Sequence, residues 1–532
     1  MTGDGDDLST AAAETFSPSG EAEITPHATA ATAVDQAGRD DRAGRRRQTE
    51  PPPRKGFARN AAWLLVAEAT GKVASLLFVI VVARELGARE YGAFAFAVAF
   101  VAPFYRLSAW GVDSTVISEV ARDHRKVAEI FPAGLLLRAG FGFIALVAAI
   151  TFAPLFISGH HNLTAFVILG SALLLDEMSQ FLSALFRSFE RMEFHALVIF
   201  SNRVLSVVFA LVVLRLGGGL IAVCLTYFAG SLGAMAFGFF FLRRFLPRGT
   251  RLRPQRTVLR HMVRTGAPLG IASAVNMLAF RADTVILQAV KGTVAVAQYA
   301  VAYRFFDSLA FVGYNLGDTA MPRIARQGKG RDAARTFVLG SAAITAFYLP
   351  LALAYAFGGH WIVVTLFGGT YRPAAAALAW LGIAGLFYGV TYMARVGAIA
   401  LGVRNQITWV AVIALTANLA MNAYAIPRYA GTGAGATTFL TEVIESALLI
   451  VVFLRANRSG ASIRALLVPV AAAAVTGAVL VLAHLRDAEA IIAVALVYAA
   501  SLAVGARVLI PDDAARIVNA ARKRFKRSPA GR

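Results

Sequence analysis

Apolar runs of roughly 20 residues recur along nearly the whole chain after residue 60, and a run of that length suffices to cross the hydrocarbon core of a bilayer. That feature constrains the fold more than any other. In lipid every backbone polar group must be satisfied internally, so such runs fold as helices. Of the 532 residues, 58% are hydrophobic and 16% charged, against about 25% charged in a soluble domain. An all-α polytopic membrane protein is expected.

About fourteen spans are expected. Six fall at about 61–83, 91–113, 131–157, 163–186, 194–215 and 219–242. Six more fall at about 264–290, 294–320, 336–359, 374–401, 407–427 and 434–454, and a final pair at about 465–484 and 488–508. Even-numbered loops carry about 22 Lys and Arg, including Arg122, Arg125, Lys126, Arg243, Arg244, Arg248, Arg323, Arg326 and Arg331. Odd-numbered loops carry about seven: Arg84, Arg89, Arg215, Lys291, Arg372, Arg428 and Arg486. The positive-inside rule then places both termini in the cytoplasm, in a multi-pass protein of the cell (inner) membrane. The net charge of +21 is thereby a matter of topology and lipid headgroups, and a nucleic-acid partner is not expected.

The organisation follows from composition. Residues 1–57, rich in Ala, Thr, Asp, Glu and Pro, read as a disordered cytoplasmic tail with no apolar segment of a cleavable signal. Two six-helix lobes, 58–242 and 264–455, flank the Arg-rich cytoplasmic linker 243–263. Two additional spans occupy 456–510, and a basic cytoplasmic tail occupies 511–532. Transporters are often built from repeated halves with the binding site between them. Cys224 is the only cysteine, and the eight His residues form no HxxxH or HExxH pattern. No disulfide, metal site or cofactor is expected.

The informative residues are ionisable ones inside spans. "LAFRADTVILQAV" at 278–290 carries Arg281 and Asp283, where an isolated charge costs about 2.5–3.5 kcal/mol on insertion scales. Two residues apart, the pair points to different faces and does not neutralise itself. Arg281 and Arg304 both lie about 15 Å deep, with Asp283 and Asp307 within about a turn. Structural pairing across this hairpin, Arg281 with Asp307 and Arg304 with Asp283, is one expectation. The other is that at least one of them looks toward a partner helix or a water-filled cavity. Glu68 and Lys72 share a face of the first span, Arg106 lies in the second, Asp176 and Glu177 in the fourth and Arg203 in the fifth. Glu442 and Glu445 share a face of the twelfth. Arg187, Arg264 and Arg395, near span ends, read as snorkelling anchors. "GTGAGA" at 431–436 joins two spans and reads as a close helix approach, not a nucleotide loop.

The stretch "ARNAAWLLVAEATGKVASLLFVIVVARELGAREYGAFAFAVAF" resembles the opening of the polysaccharide and O-antigen flippase family, of the multidrug/oligosaccharidyl-lipid/polysaccharide exporter superfamily. "GAPLGIASAVNMLAFRADTVILQAV", "AVAQYAVAYRFFDSL" and "NAYAIPRYAGTGAGATTFLTEVIES" resemble it too, in order, over about residues 57–455. The resemblance implies two six-helix lobes around a cavity, alternating access, and an oligosaccharide on polyprenyl pyrophosphate as cargo. It implies a role in lipopolysaccharide or exopolysaccharide assembly for the cell envelope, beside glycosyltransferases and a polymerase. Such a cargo needs cations in low dielectric, and Arg offers a planar fork for phosphate oxygens. Lys72, Arg106, Arg281 and Arg304 are the candidate substrate-binding residues. Glu68, Asp176, Asp283 and Asp307 are the candidates for charge pairing or coupling.

Other classes remain. A murein-precursor flippase shares the fourteen spans. A multidrug extruder of the same superfamily needs only twelve, with an acid-rich cavity for cationic cargo. A membrane glycosyltransferase or polymerase needs a sizeable outward catalytic loop, and the outward loops here are about 4–14 residues.

Overall fold

The computed structural model describes residues 55–157, 159–245, 253–403 and 405–509, with side chains from Gly71 onward except for a few inside helices. The tail expected at 1–57 lies outside these residues but for its last three, as do part of the linker and the C-terminal tail. Among the described residues every regular element is helical.

In chain order the helices are α1 (Lys55–Ala109), α2 (Val112–Arg122), α3 (Val127–Phe152), α4 (His160–Ser188), α5 (Met192–Arg215), α6 (Leu220–Leu242) and α7 (Arg256–Lys291). Then come α8 (Thr293–Gln327), α9 (Arg331–Phe367), α10 (Ala374–Ala400), α11 (Asn405–Asn457), α12 (Arg464–Leu482), α13 (Asp487–Ala493) and α14 (Ala499–Leu509). Helix α1 is two segments meeting at Gly87, whose φ of 73° and ψ of 173° glycine adopts at little steric cost. Helix α11 breaks at Ala430, three residues after Pro427. There the two segments cross closely, because a Cβ on Gly433 would lie 2.5 Å from the Ala425 carbonyl oxygen. A π-helical turn, Val494–Tyr498, joins α13 and α14 into one rod. Counted this way, fourteen rods among the described residues match the fourteen expected spans, with α2 as an extra short helix.

Nine helices among the described residues are long and apolar enough to cross a membrane by length and composition. Helices α7 and α8, which carry Arg281, Asp283, Arg304 and Asp307, are not among them. At the ends of three of the nine, Leu216 just after α5, Leu482 of α12 and Val508 of α14 are 81%, 80% and 71% exposed. Apolar side chains on that scale suit lipid, not water.

The helices pack in two neighbouring groups. Helices α4, α5 and α6 pack together, with α3 on α4; α7 and α8 pack with α10 and α11, and α9 lies on α10. Helices α12 and α13 attach to α9, and α14 packs on α12. The two groups meet at both ends. At one end the Tyr371 hydroxyl donates to the Ala83 carbonyl (2.8 Å), Arg84 to that of Thr365 (3.3 Å) and Gln288 to that of Phe156 (3.2 Å). At the other end Trp110 Nε1 donates to the Val263 carbonyl (2.9 Å), and His261 meets Glu119 at 2.7 Å. Trp110 has a positive φ of 43° and sits over Gly266 and Gly270 on α7, where a Cβ would lie 1.9 Å and 2.7 Å from its backbone.

Two differences from the expected boundaries move charged residues into helices. Helix α7 begins at Arg256, not near 264, so the last eight residues of the basic linker, 256–263, are helical. The second span ends at Ala109, and Asp113 belongs to α2. Asp113 and Glu177 there hold Arg138, which is 1% exposed, at 3.1 and 3.0 Å.

Candidate functional site

The two groups enclose a cavity of about 150 Å³, walled by Ser75, Phe78, Tyr91 and Phe94 of α1, Arg203 of α5 and Tyr227 of α6. Arg281 and Thr284 of α7 and Tyr303, Arg304 and Asp307 of α8 complete it. Four cations converge on one carboxylate here: Lys72, Arg304, Arg281 and Arg203 all lie within electrostatic reach of Asp307. Arg304 pairs with Asp307 one turn along α8, at 3.4 Å. Lys72 Nζ donates to the Asp307 carbonyl oxygen at 3.3 Å. Arg203 reaches the Tyr227 hydroxyl at 3.5 Å, and the Arg281 guanidinium lies 5.2 Å from the Tyr303 ring centre.

Among the described residues cations outnumber carboxylates along the cavity wall, with Asp283 and Asp176 also within electrostatic reach of Arg281 and Arg203. Buried Nε atoms of Arg281 and Arg304 have no hydrogen-bond partner among the described residues. Uncompensated donors and charges in such a site are costly until an anion arrives. An acceptor-rich dianion would satisfy them.

Neither pairing expected across the α7–α8 hairpin forms as an ion pair among the described residues. Arg304 takes Asp307 of its own helix. Asp283, 4% exposed, faces away from Arg281 into a second cavity. There its carboxylate accepts from the Tyr299 hydroxyl and from Thr284 N–H at 2.6 Å. The reason is rotational: two residues along a helix turn the side chain by about 200°.

The second cavity, about 300 Å³, lies within the α7, α8, α10 and α11 group and is lined by Asp283, Tyr314, Tyr388, Arg395, Asn418, Thr441, Glu442 and Glu445 among others. Arg395, read from the sequence as a snorkelling anchor, pairs instead with Glu445, because α11 offers a carboxylate at its level. Asn418 donates to Thr441 (2.9 Å), Asn422 to Asn418 (2.9 Å) and Thr437 to Asn422 (2.5 Å). Glu442 Oε2 is buried without a partner.

Of the expected substrate-binding residues, Lys72, Arg281 and Arg304 come together around Asp307. Arg106 does not line this cavity. It is exposed in the last turn of α1, within electrostatic reach of Asp176 and Glu177. Asp176 accepts from Asn202 at 3.1 Å. The Glu68 side chain lies outside the described residues. Arg203, Tyr227 and Tyr303 were not singled out as contacts. For Arg203 the signal was present, an Arg inside an apolar run; for the tyrosines only their place on the helices reveals it.

Residues 57–326 match the family model described as polysaccharide biosynthesis protein. No curated protein matches the chain. Among solved structures, a lipid II flippase, MurJ, in an inward closed conformation superposes with a TM-score of 0.66 at 14% identity, over 85% of this chain and 99% of that one. An inward-facing MATE family multidrug transporter of the MOP superfamily gives a TM-score of 0.53 at 16% identity, over 73% and 94% of the two chains. A eukaryotic MATE transporter gives 0.50 at 15%, over 76% and 99%. At these identities the likeness is one of fold.

Proposed function

Since the chain belongs to the polysaccharide biosynthesis protein family, we propose that it is a flippase for polyprenyl-pyrophosphate-linked oligosaccharide, carrying a polysaccharide or O-antigen repeat unit across the cell membrane by alternating access. The observation that carries this reading is the cluster of Lys72, Arg203, Arg281 and Arg304 around the carboxylate of Asp307. A pyrophosphate brings the charge and acceptors that the cluster lacks, and Arg forks suit phosphate oxygens. Asp307 holds the cations in the empty state.

A cavity of about 150 Å³ has room for about five waters at ~30 Å³ each. A lipid-linked sugar enters only when the groups part. The contacts at Trp110 and at Ala83–Tyr371 are the two closures that must open in turn. With the termini in the cytoplasm, the Trp110 end faces inward and the Tyr371 end outward.

A murein-precursor flippase shares the pyrophosphate and so predicts the same cluster; the fold likeness to the lipid II flippase favours keeping it as the second reading. A multidrug extruder for cationic cargo fits the cationic cavity poorly. In either flippase reading the chain moves its cargo without chemically changing it, beside the glycosyltransferases and polymerase that make and use the repeat unit.

The test is transfer of labelled lipid-linked oligosaccharide in proteoliposomes, beside a melting curve for each variant. Arg281→Ala is expected to fold and to lose transport, and adding Asp307→Ala is expected not to rescue it. Full transport by a folded Arg281→Ala protein, or rescue by the double variant, removes Arg281 from the cargo site.

A further inference from the structure

A groove of about 620 Å³ runs along α10 and both segments of α11, sharing no lining residue with either cavity. Its walls are Trp380 of α10, Met421 and Tyr424 of the first α11 segment, Tyr429 at the bend and Leu440 of the second segment. Tyr424 and Tyr429 are 61% and 62% exposed, so the groove opens outward from the bundle. From Tyr429 down to Ala420 it descends nine residues, about 13 Å at 1.5 Å per residue. That is close to one leaflet, half of a hydrocarbon core about 30 Å thick.

The mouth of the groove is not apolar. Arg428 is exposed beside the bend, its guanidinium 3.9 Å from the Tyr424 ring centre, with Nη1 donating to the Tyr424 carbonyl at 3.0 Å. Ring and carbonyl hold the group in place without neutralising it, and one of five N–H donors is used. Exposed Tyr429 stands next to Arg428 at the bend, and exposed Tyr is characteristic of the headgroup region of a bilayer. Arg428 also belongs to the loops in which basic residues are sparse, so topology does not account for it.

We propose that this groove is a binding site for an anionic glycerophospholipid, with its phosphate at Arg428 and one acyl chain lying between α10 and the two segments of α11. Charge complementarity at the mouth selects the headgroup, and the leaflet-deep apolar channel takes the chain. The bend at Pro427–Ala430 creates the groove by turning the second segment back across the first.

Native mass spectrometry of the full-length protein, with added phosphatidylglycerol or phosphatidylcholine of matched chains, tests this. Wild-type protein is expected to retain phosphatidylglycerol in preference. Arg428→Gln is expected to lose about fivefold of that preference, the effect of one cation at a membrane surface. Ala420→Phe, which fills the foot of the groove from an exposed position, is expected to shed both lipids. Equal retention of the two lipids by wild type overturns the proposal, as does unchanged preference in Arg428→Gln. Displacement of phosphatidylglycerol by polyprenyl phosphate in preference to all else also overturns it, and assigns the groove to the cargo's tail. Both substituted side chains face outward, and melting curves confirm folding.

Discussion

Replacing Gly266 with alanine places a methyl group 1.9 Å from the Trp110 carbonyl oxygen. That is about 1.5 Å short of ordinary contact. The obstacle is backbone, which has no rotamer to change, so α7 and the Trp110 turn must separate. The hydrogen bond from Trp110 to the Val263 carbonyl (2.9 Å) sits one turn away and is strained by the same movement. Overpacking of this kind costs about 1–3 kcal/mol. If the contact closes one end of the transport route, that cost falls on the closed state alone. The open population then rises about 5- to 150-fold. Labelling of a cysteine introduced at Ser75, which lines the central cavity, by a soluble maleimide reads this population. Cys224 is fully buried and supplies little background. Gly71→Ala is the control, since its Cβ meets only Ile199 at an ordinary 3.6 Å. A well-folded Gly266→Ala protein whose Ser75→Cys labels at the parental rate would refute the reasoning, because the closure would then lie elsewhere.

Two further outcomes are expected. Arg138→Ala leaves Asp113 and Glu177 facing each other without the buried guanidinium that joins them, and is expected to destabilise the protein by about 3–5 kcal/mol; a melting curve matching wild type would show that water already compensates the acids. Reporter fusions at residues 250 and 330 are both expected to read as cytoplasmic, and an extracytoplasmic signal at either would overturn the orientation drawn from the loop charges.

Much of this protein follows from composition and spacing. Runs of about 20 apolar residues leave helices as the solution in lipid, so the all-helical architecture and the span count of about fourteen were legible before any coordinates. So was the presence of charge within α7 and α8, and the separation of Arg281 from Asp283 onto different faces. The small residues of "GTGAGA" also signalled the close crossing found at Gly433. Which charge meets which was another matter. Arg304 takes Asp307, Asp283 turns to Tyr299, Arg395 finds Glu445, and Arg203 joins Lys72 and Arg281 from a helix far away in sequence. Each choice depends on how a helix is rotated about its axis, and about 100° per residue makes that rotation sensitive to a one-residue change in where a span begins. The same applies to the Trp110 closure and the groove at Arg428, which exist only where separate helices are brought side by side. Local sequence sets what each helix carries and how deep it lies; packing between helices sets the faces, and the faces make the cavities.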